Sequence, residues 1–165
     1  MLPSHLLFQR IPEELSSAIV HYLRSEEREV FKSTLSALAA ERRLRPVFIQ
    51  KRPLEAQLSW MKESLKLRNS ESIAEQVLQV WLLKSKKGMV VGFLEAMGIE
   101  HDGDGSVEEL PGEMDGEKLK AGVEVMLGDH SVDEVKLYLH MFQGQRPGGW
   151  EALAKLLEED ERLRL

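Results

Sequence analysis

The chain has 165 residues, 42% of them hydrophobic, with 22 basic and 28 acidic side chains and a net charge of −6. A chain of this length removes roughly 70% of its unfolded surface from water, so no covalent or metal staple is required. The absence of cysteine excludes a disulfide scaffold, a thiolate-ligated zinc or iron-sulfur site and a cysteine nucleophile.

The opening MLPSHLLFQRIP lacks the basic start and continuous apolar core of a signal peptide, and no run of 18 apolar residues follows. A cytoplasmic protein without a membrane segment is expected. From Pro12, the apolar residues Leu15, Ile19, Tyr22 and Leu23, then Val30, Phe31, Leu35 and Leu38, recur at three and four residues on either side of Ser25-Glu26-Glu27. Two amphipathic helices follow from that spacing. No period-2 run stands out; Val47 to Gln50, in a loop carrying Pro46 and Pro53, is the only possible strand and is too short to matter. Leu54, Leu58, Met61 and Leu65 mark a third helix, with Trp60 beside the stripe and Asn69-Ser70 as its end.

Ser72 and Glu75 form a capping box for the next helix, which Lys84 to Gly88 closes with cations and a glycine able to take positive φ. Met89, Val90, Phe93, Leu94 and Met97 form another, stopped at Gly98. Further helices are placed at 117–127, 131–142 and about 150–158, with a second capping box at Ser131 and Glu134. The expected fold is all-α. About eight helices stack as αα-hairpins in one domain, residues 1–165, as an irregular bundle or a short solenoid-like array. A shift of 45 residues lays Val90, Phe93, Leu94 and Met97 onto Val135, Tyr138, Leu139 and Phe142, so the hairpins read as a repeat.

Charge is uneven: residues 1–87 carry 15 basic and 10 acidic side chains, and residues 88–165 carry 7 and 18. The densest cations, Arg42, Arg43, Arg45, Lys51 and Arg52, interleave with apolar residues that include Phe48. Arginine beside apolar side chains is the composition of interface centres, so these six residues are the expected site for a protein partner. Nucleic acid is the alternative ligand, through phosphate neutralisation and stacking on Phe48. The acidic total argues against it.

Residues 100–117, EHDGDGSVEELPGEMDGE, carry eight carboxylates and no Lys or Arg. Asp102 to Glu108 resembles the core of an EF-hand calcium loop, with carboxylates two apart and a glycine at the turn. The resemblance implies Asp102, Asp104 and Glu108 as ligands for a divalent cation, calcium being the candidate cofactor. Pro111 stands where a loop begun at Glu100 needs its closing Glu. The other readings make this segment a solvated acidic turn, or a self-complementary surface that meets the basic half within one molecule or between molecules, the latter being self-association.

No hydrolase elbow, phosphate loop, dinucleotide fingerprint or zinc helix occurs. His130 and Asp133 have a spacing at which a His-Asp pair could orient a general base, and His130 also suits a helix end. His140 is expected on the surface. A non-enzymatic interaction module is the expectation.

Overall fold

The three-to-four-residue stripes become helices, and the computed structural model, which describes residues 1–165, contains ten of them and no strand. In chain order they are α1 (Ser4–Arg10), α2 (Glu13–Glu26), α3 (Arg28–Glu41), α4 (Pro46–Gln50), α5 (Leu54–Leu65), α6 (Glu71–Lys84), α7 (Lys87–Ala96), α8 (Gly116–Asp129), α9 (Val132–Gln143) and α10 (Glu151–Glu159). Short 3₁₀ turns occupy Arg68–Ser70 and Glu161–Leu163. No helix is long and apolar enough to cross a membrane. The chain divides into two compact units, residues 3–81 and residues 82–165 with 1–2, so the division falls inside α6. The first unit holds 12 basic and 10 acidic side chains, the second 10 and 18.

In the first unit, α2 and α3 pair across a break at Glu27, where φ is −131° and ψ is 60°, and α5 packs against both. The stripes face inward: Ile19, Leu23, Leu38, Met61 and Leu65 are fully buried. Each contributes roughly 1.5 to 3 kcal/mol through removal of apolar surface from water. Helix α1 was not expected. It has Pro3 at its N-cap, which supplies no side-chain acceptor. The Glu71 carboxylate takes that role from 66 and 67 residues away, accepting from Ser4 N at 2.7 Å and His5 N at 2.9 Å.

Four local expectations are corrected. Val47 to Gln50 is helical, because Pro46 at the first helical position presets φ where a missing N–H costs nothing. Ser72 lies inside α6 and caps nothing; the 3₁₀ turn Arg68–Ser70 precedes the helix, and Glu71 N donates to the Arg68 carbonyl. That turn, separated from α5 by Lys66 and Leu67, is where Asn69 and Ser70 belong. Gly88 is an ordinary residue of α7 without positive φ.

In the second unit, α7 packs on α8, α8 on α9, and α10 on both α8 and α9. Ser131 caps α9 by accepting from Glu134 N at 3.2 Å, but Glu134 turns its carboxylate to Lys86 Nζ at 2.9 Å, so the box is not reciprocal. His140 is half-buried, with Nε2 2.9 Å from the Leu163 carbonyl. That contact, with Leu163 itself buried, docks the C-terminal turn on α9 and corrects the surface placement of His140.

The centre of this unit is aromatic. Phe93 meets Tyr138 and Phe142 edge-on at 5.4 and 5.3 Å, and Phe142 stacks on Trp150 at 4.9 Å. Tyr138 is only 4% exposed, and no protein group bonds its hydroxyl, whose ionisation burial suppresses. An unpaired buried hydroxyl costs about 1 to 3 kcal/mol in desolvation. Tyr138→Phe removes that cost and keeps the ring contacts. The urea midpoint should rise by the equivalent of about 1 kcal/mol, and a fall would show that the hydroxyl has a stabilising partner.

Candidate functional site

The basic segment starts where α3 stops. Leu44 N donates to the Ala39 carbonyl at 2.8 Å and Arg43 N to the Ala40 carbonyl at 3.0 Å, which is the hydrogen-bond pattern of a Schellman motif. The motif needs a left-handed residue between helix and exit, and Arg43 provides it with φ 56°. Helix α7 ends the same way, with Ile99 N on the Leu94 carbonyl at 2.8 Å and Gly98 N on Glu95 at 3.1 Å, but there the left-handed residue is glycine. An L side chain in this region costs about 1 to 2 kcal/mol. Unfolded-chain entropy offsets part of the gain on replacing it by glycine.

The two ends therefore give a matched prediction. Arg43→Gly should stabilise by about 0.5 to 1 kcal/mol, and Gly98→Ala, which meets no steric obstacle, should destabilise by about 1 kcal/mol. Thermal melts of the two variants check it, and equal signs would refute it.

Beyond Arg43 the chain turns into α4, whose Ile49 is fully buried while Val47 and Phe48 are exposed. Gln57 fixes the exit by donating Nε2 to the carbonyls of Gln50 at 3.0 Å and Arg52 at 2.8 Å. A short, anchored element thus displays Leu44, Val47, Phe48 and Leu54, each at least 40% exposed. Arg43, Arg45, Lys51 and Arg52 are exposed among them and form no ion pair. Between residues 42 and 54 there is no carboxylate.

Arg42 differs from its neighbours. Its Nη1 donates to Ser64 Oγ at 2.9 Å, and its guanidinium lies 5.3 Å from the Trp60 ring centre, so it fastens α5 beneath the patch. Trp60 is half-buried by the same arrangement.

The acidic segment of the second unit is an ordered loop. Asp102 N donates to the Ser106 carbonyl at 3.0 Å, and Ser106 N to Asp104 Oδ1 at 2.8 Å. The Ser106 N–H holds the Asp104 carboxyl below its usual range. Gly105, with φ 95°, lies so close to Leu83 and Val90 that an added Cβ would stand 3.0 Å from each. At the far end the Trp150 indole donates to the Pro111 carbonyl at 2.8 Å, joined by Arg146 at 3.4 Å.

These ties shape an open cleft of about 450 Å³, with Met97, Ile99 and Leu110 in its lining and Asp102, Glu108 and Glu109 among its acidic groups. Asp102, Asp104 and Glu108 are not gathered as a donor set, since no group of three or more acidic or histidine side chains is placed to hold a metal ion. His101 accepts from Gly103 N at 3.0 Å through Nδ1, which directs its Nε2 to Glu95 Oε1 at 3.6 Å. The pair His130 and Asp133 is split: His130 ends α8, donating its N–H to the Met126 carbonyl, while Asp133 pairs with Lys136 at 3.1 Å.

Compared with protein-family models, curated proteins and solved structures, the chain matches none.

Proposed function

We propose that the chain is a non-enzymatic interaction module that docks a protein partner on the patch built from Arg43, Arg45, Phe48, Lys51 and Arg52, with Arg42 as its internal brace. One observation carries this reading: four exposed apolar side chains stand among four cations that have no carboxylate partner. Apolar surface of this kind gains from being covered, and unpaired arginines select an acidic cover. Protein is favoured over nucleic acid because three of the four exposed apolar residues are aliphatic and offer no stacking face, and because the chain is acidic overall with a pI near 5.5. The cysteine-free composition accords with a cytoplasmic setting.

Affinity capture from the native lysate tests the reading, with bound protein and nucleic acid quantified together. The comparison is Arg45→Glu/Phe48→Ser/Arg52→Glu, which spares Arg42 and therefore the contacts to Trp60 and Ser64. With both forms melting alike, the wild type should retain a defined protein that the variant loses. Identical protein profiles from the two would overturn the reading, and so would a patch-dependent yield of nucleic acid in place of protein.

A further inference from the structure

The patch and the acidic cleft have opposite chemistry and complementary relief. On the patch, Phe48 projects with 59% of its surface exposed, flanked by Arg45, Lys51 and Arg52. The cleft is concave, with Ile99 and Leu110 in its lining and Asp102, Glu108 and Glu109 exposed around it. None of these three carboxylates forms an ion pair, and no Lys or Arg occurs from residue 100 to 117. The loop is held by Trp150 and Arg146 at Pro111, so its shape exists before any partner arrives and little ordering entropy opposes binding.

Resting on the interaction reading above, we infer that the occupant of the patch is a second copy of this chain, whose acidic cleft receives Phe48 and the cations beside it. The contact joins unlike surfaces, so it either closes into a ring or continues from copy to copy. Its salt dependence is diagnostic. Each chain carries a net charge of −6, so unspecific association would strengthen as salt screens mutual repulsion. Association through complementary patches weakens with salt.

Sedimentation equilibrium over a concentration series, at low salt and at about 0.5 M salt, reads this directly. The patch variant is Arg45→Gln/Phe48→Ser/Lys51→Gln and the cleft variant is Asp102→Asn/Glu108→Gln/Glu109→Gln, both checked for unchanged melting. Wild type should associate with concentration, and high salt or either variant alone should weaken this about tenfold or more. An equimolar mixture of the two variants should form a one-to-one complex, because one intact patch meets one intact cleft. Variants that merely disturb folding would not complement each other.

A wild type that stays monomeric, variants that associate like it, or a mixture without complex would overturn the inference. If wild type is monomeric but captures a different protein through the patch, only the second copy is removed as occupant. If capture is indifferent to the patch, the interaction reading fails as well.

Discussion

Gly149→Ala should lower stability by about 3 kcal/mol or more, through two separate costs at one position. Gly149 has φ 64°, where an L residue costs about 1 to 2 kcal/mol. Its added methyl group would stand 2.5 Å from Gln143 Cδ and closer still to Nε2. A free glutamine would swing away. This one cannot do so cheaply: it is buried, its Oε1 accepts from Trp150 N at 3.1 Å, and its Nε2 donates to the Trp150 carbonyl at 3.1 Å. Displacing the amide leaves the buried Trp150 N–H unpaired, at about 1 to 3 kcal/mol, while the Trp150 carbonyl keeps the Ala154 N–H at 2.9 Å. The urea midpoint measures the loss. Gln143→Ala should be costly alone for the same reason, yet the double variant should cost less than the two losses added, because the clash has gone. A Gly149→Ala loss below about 0.5 kcal/mol would sink the argument.

The contrast between this corner and the long helices explains what could be read in advance. Helices α2, α3, α5, α7 and α9 were legible because their apolar residues repeat with the helical period and that periodicity reports burial directly. Helix α4 was not, since five residues are too few to show a period. Helix α1 depends on a carboxylate 66 residues away, and Ser72 had the residue type of a cap but not the place. Local chemistry names what a residue is able to do, while tertiary position decides whether the opportunity is used.

The same limit applies to the candidate site. The density of cations at residues 42–52 was visible, as were the carboxylates of residues 100–117. The diversion of Arg42 to Ser64 and Trp60 was not, because those contacts span 22 and 18 residues. Nor was the loop's attachment to Trp150, which turns a run of acidic residues into a shaped cleft. The Asp-Gly-Asp-Gly turn illustrates the reverse case. Its spacing suits a cation, but Asp104 spends an oxygen on Ser106 N–H, and the other carboxylates do not converge with it.

Glu71→Ala should destabilise residues 3–81 by about 2 kcal/mol, allowing for partial solvent access. The carboxylate accepts three bonds from α1, namely Ser4 N, His5 N and His5 Nδ1 at 2.6 Å. Without it the Ser4 and His5 N–H groups lose the carboxylate that accepts from them, and the helix carrying the buried Leu7 and Phe8 loses its anchor. Burial alone would raise the Glu71 carboxyl, but the His5 N–H, the His5 ring and the Ser4 N–H together hold it below its usual value. A depressed carboxyl contributes its full stability above its unfolded pKa of about 4.3 and loses it as pH falls through the lower folded value. Glu13, held down chiefly by the Lys62 hydrogen bond, acts in the same direction. Denaturant midpoints should therefore be level above about pH 5 and fall below it. Glu71→Gln, which keeps one carbonyl acceptor and cannot titrate, should lie between wild type and Glu71→Ala at pH 7 and fall less steeply in acid. A wild-type midpoint unchanged from neutral pH to about pH 3 would refute the anchoring role of the carboxylate.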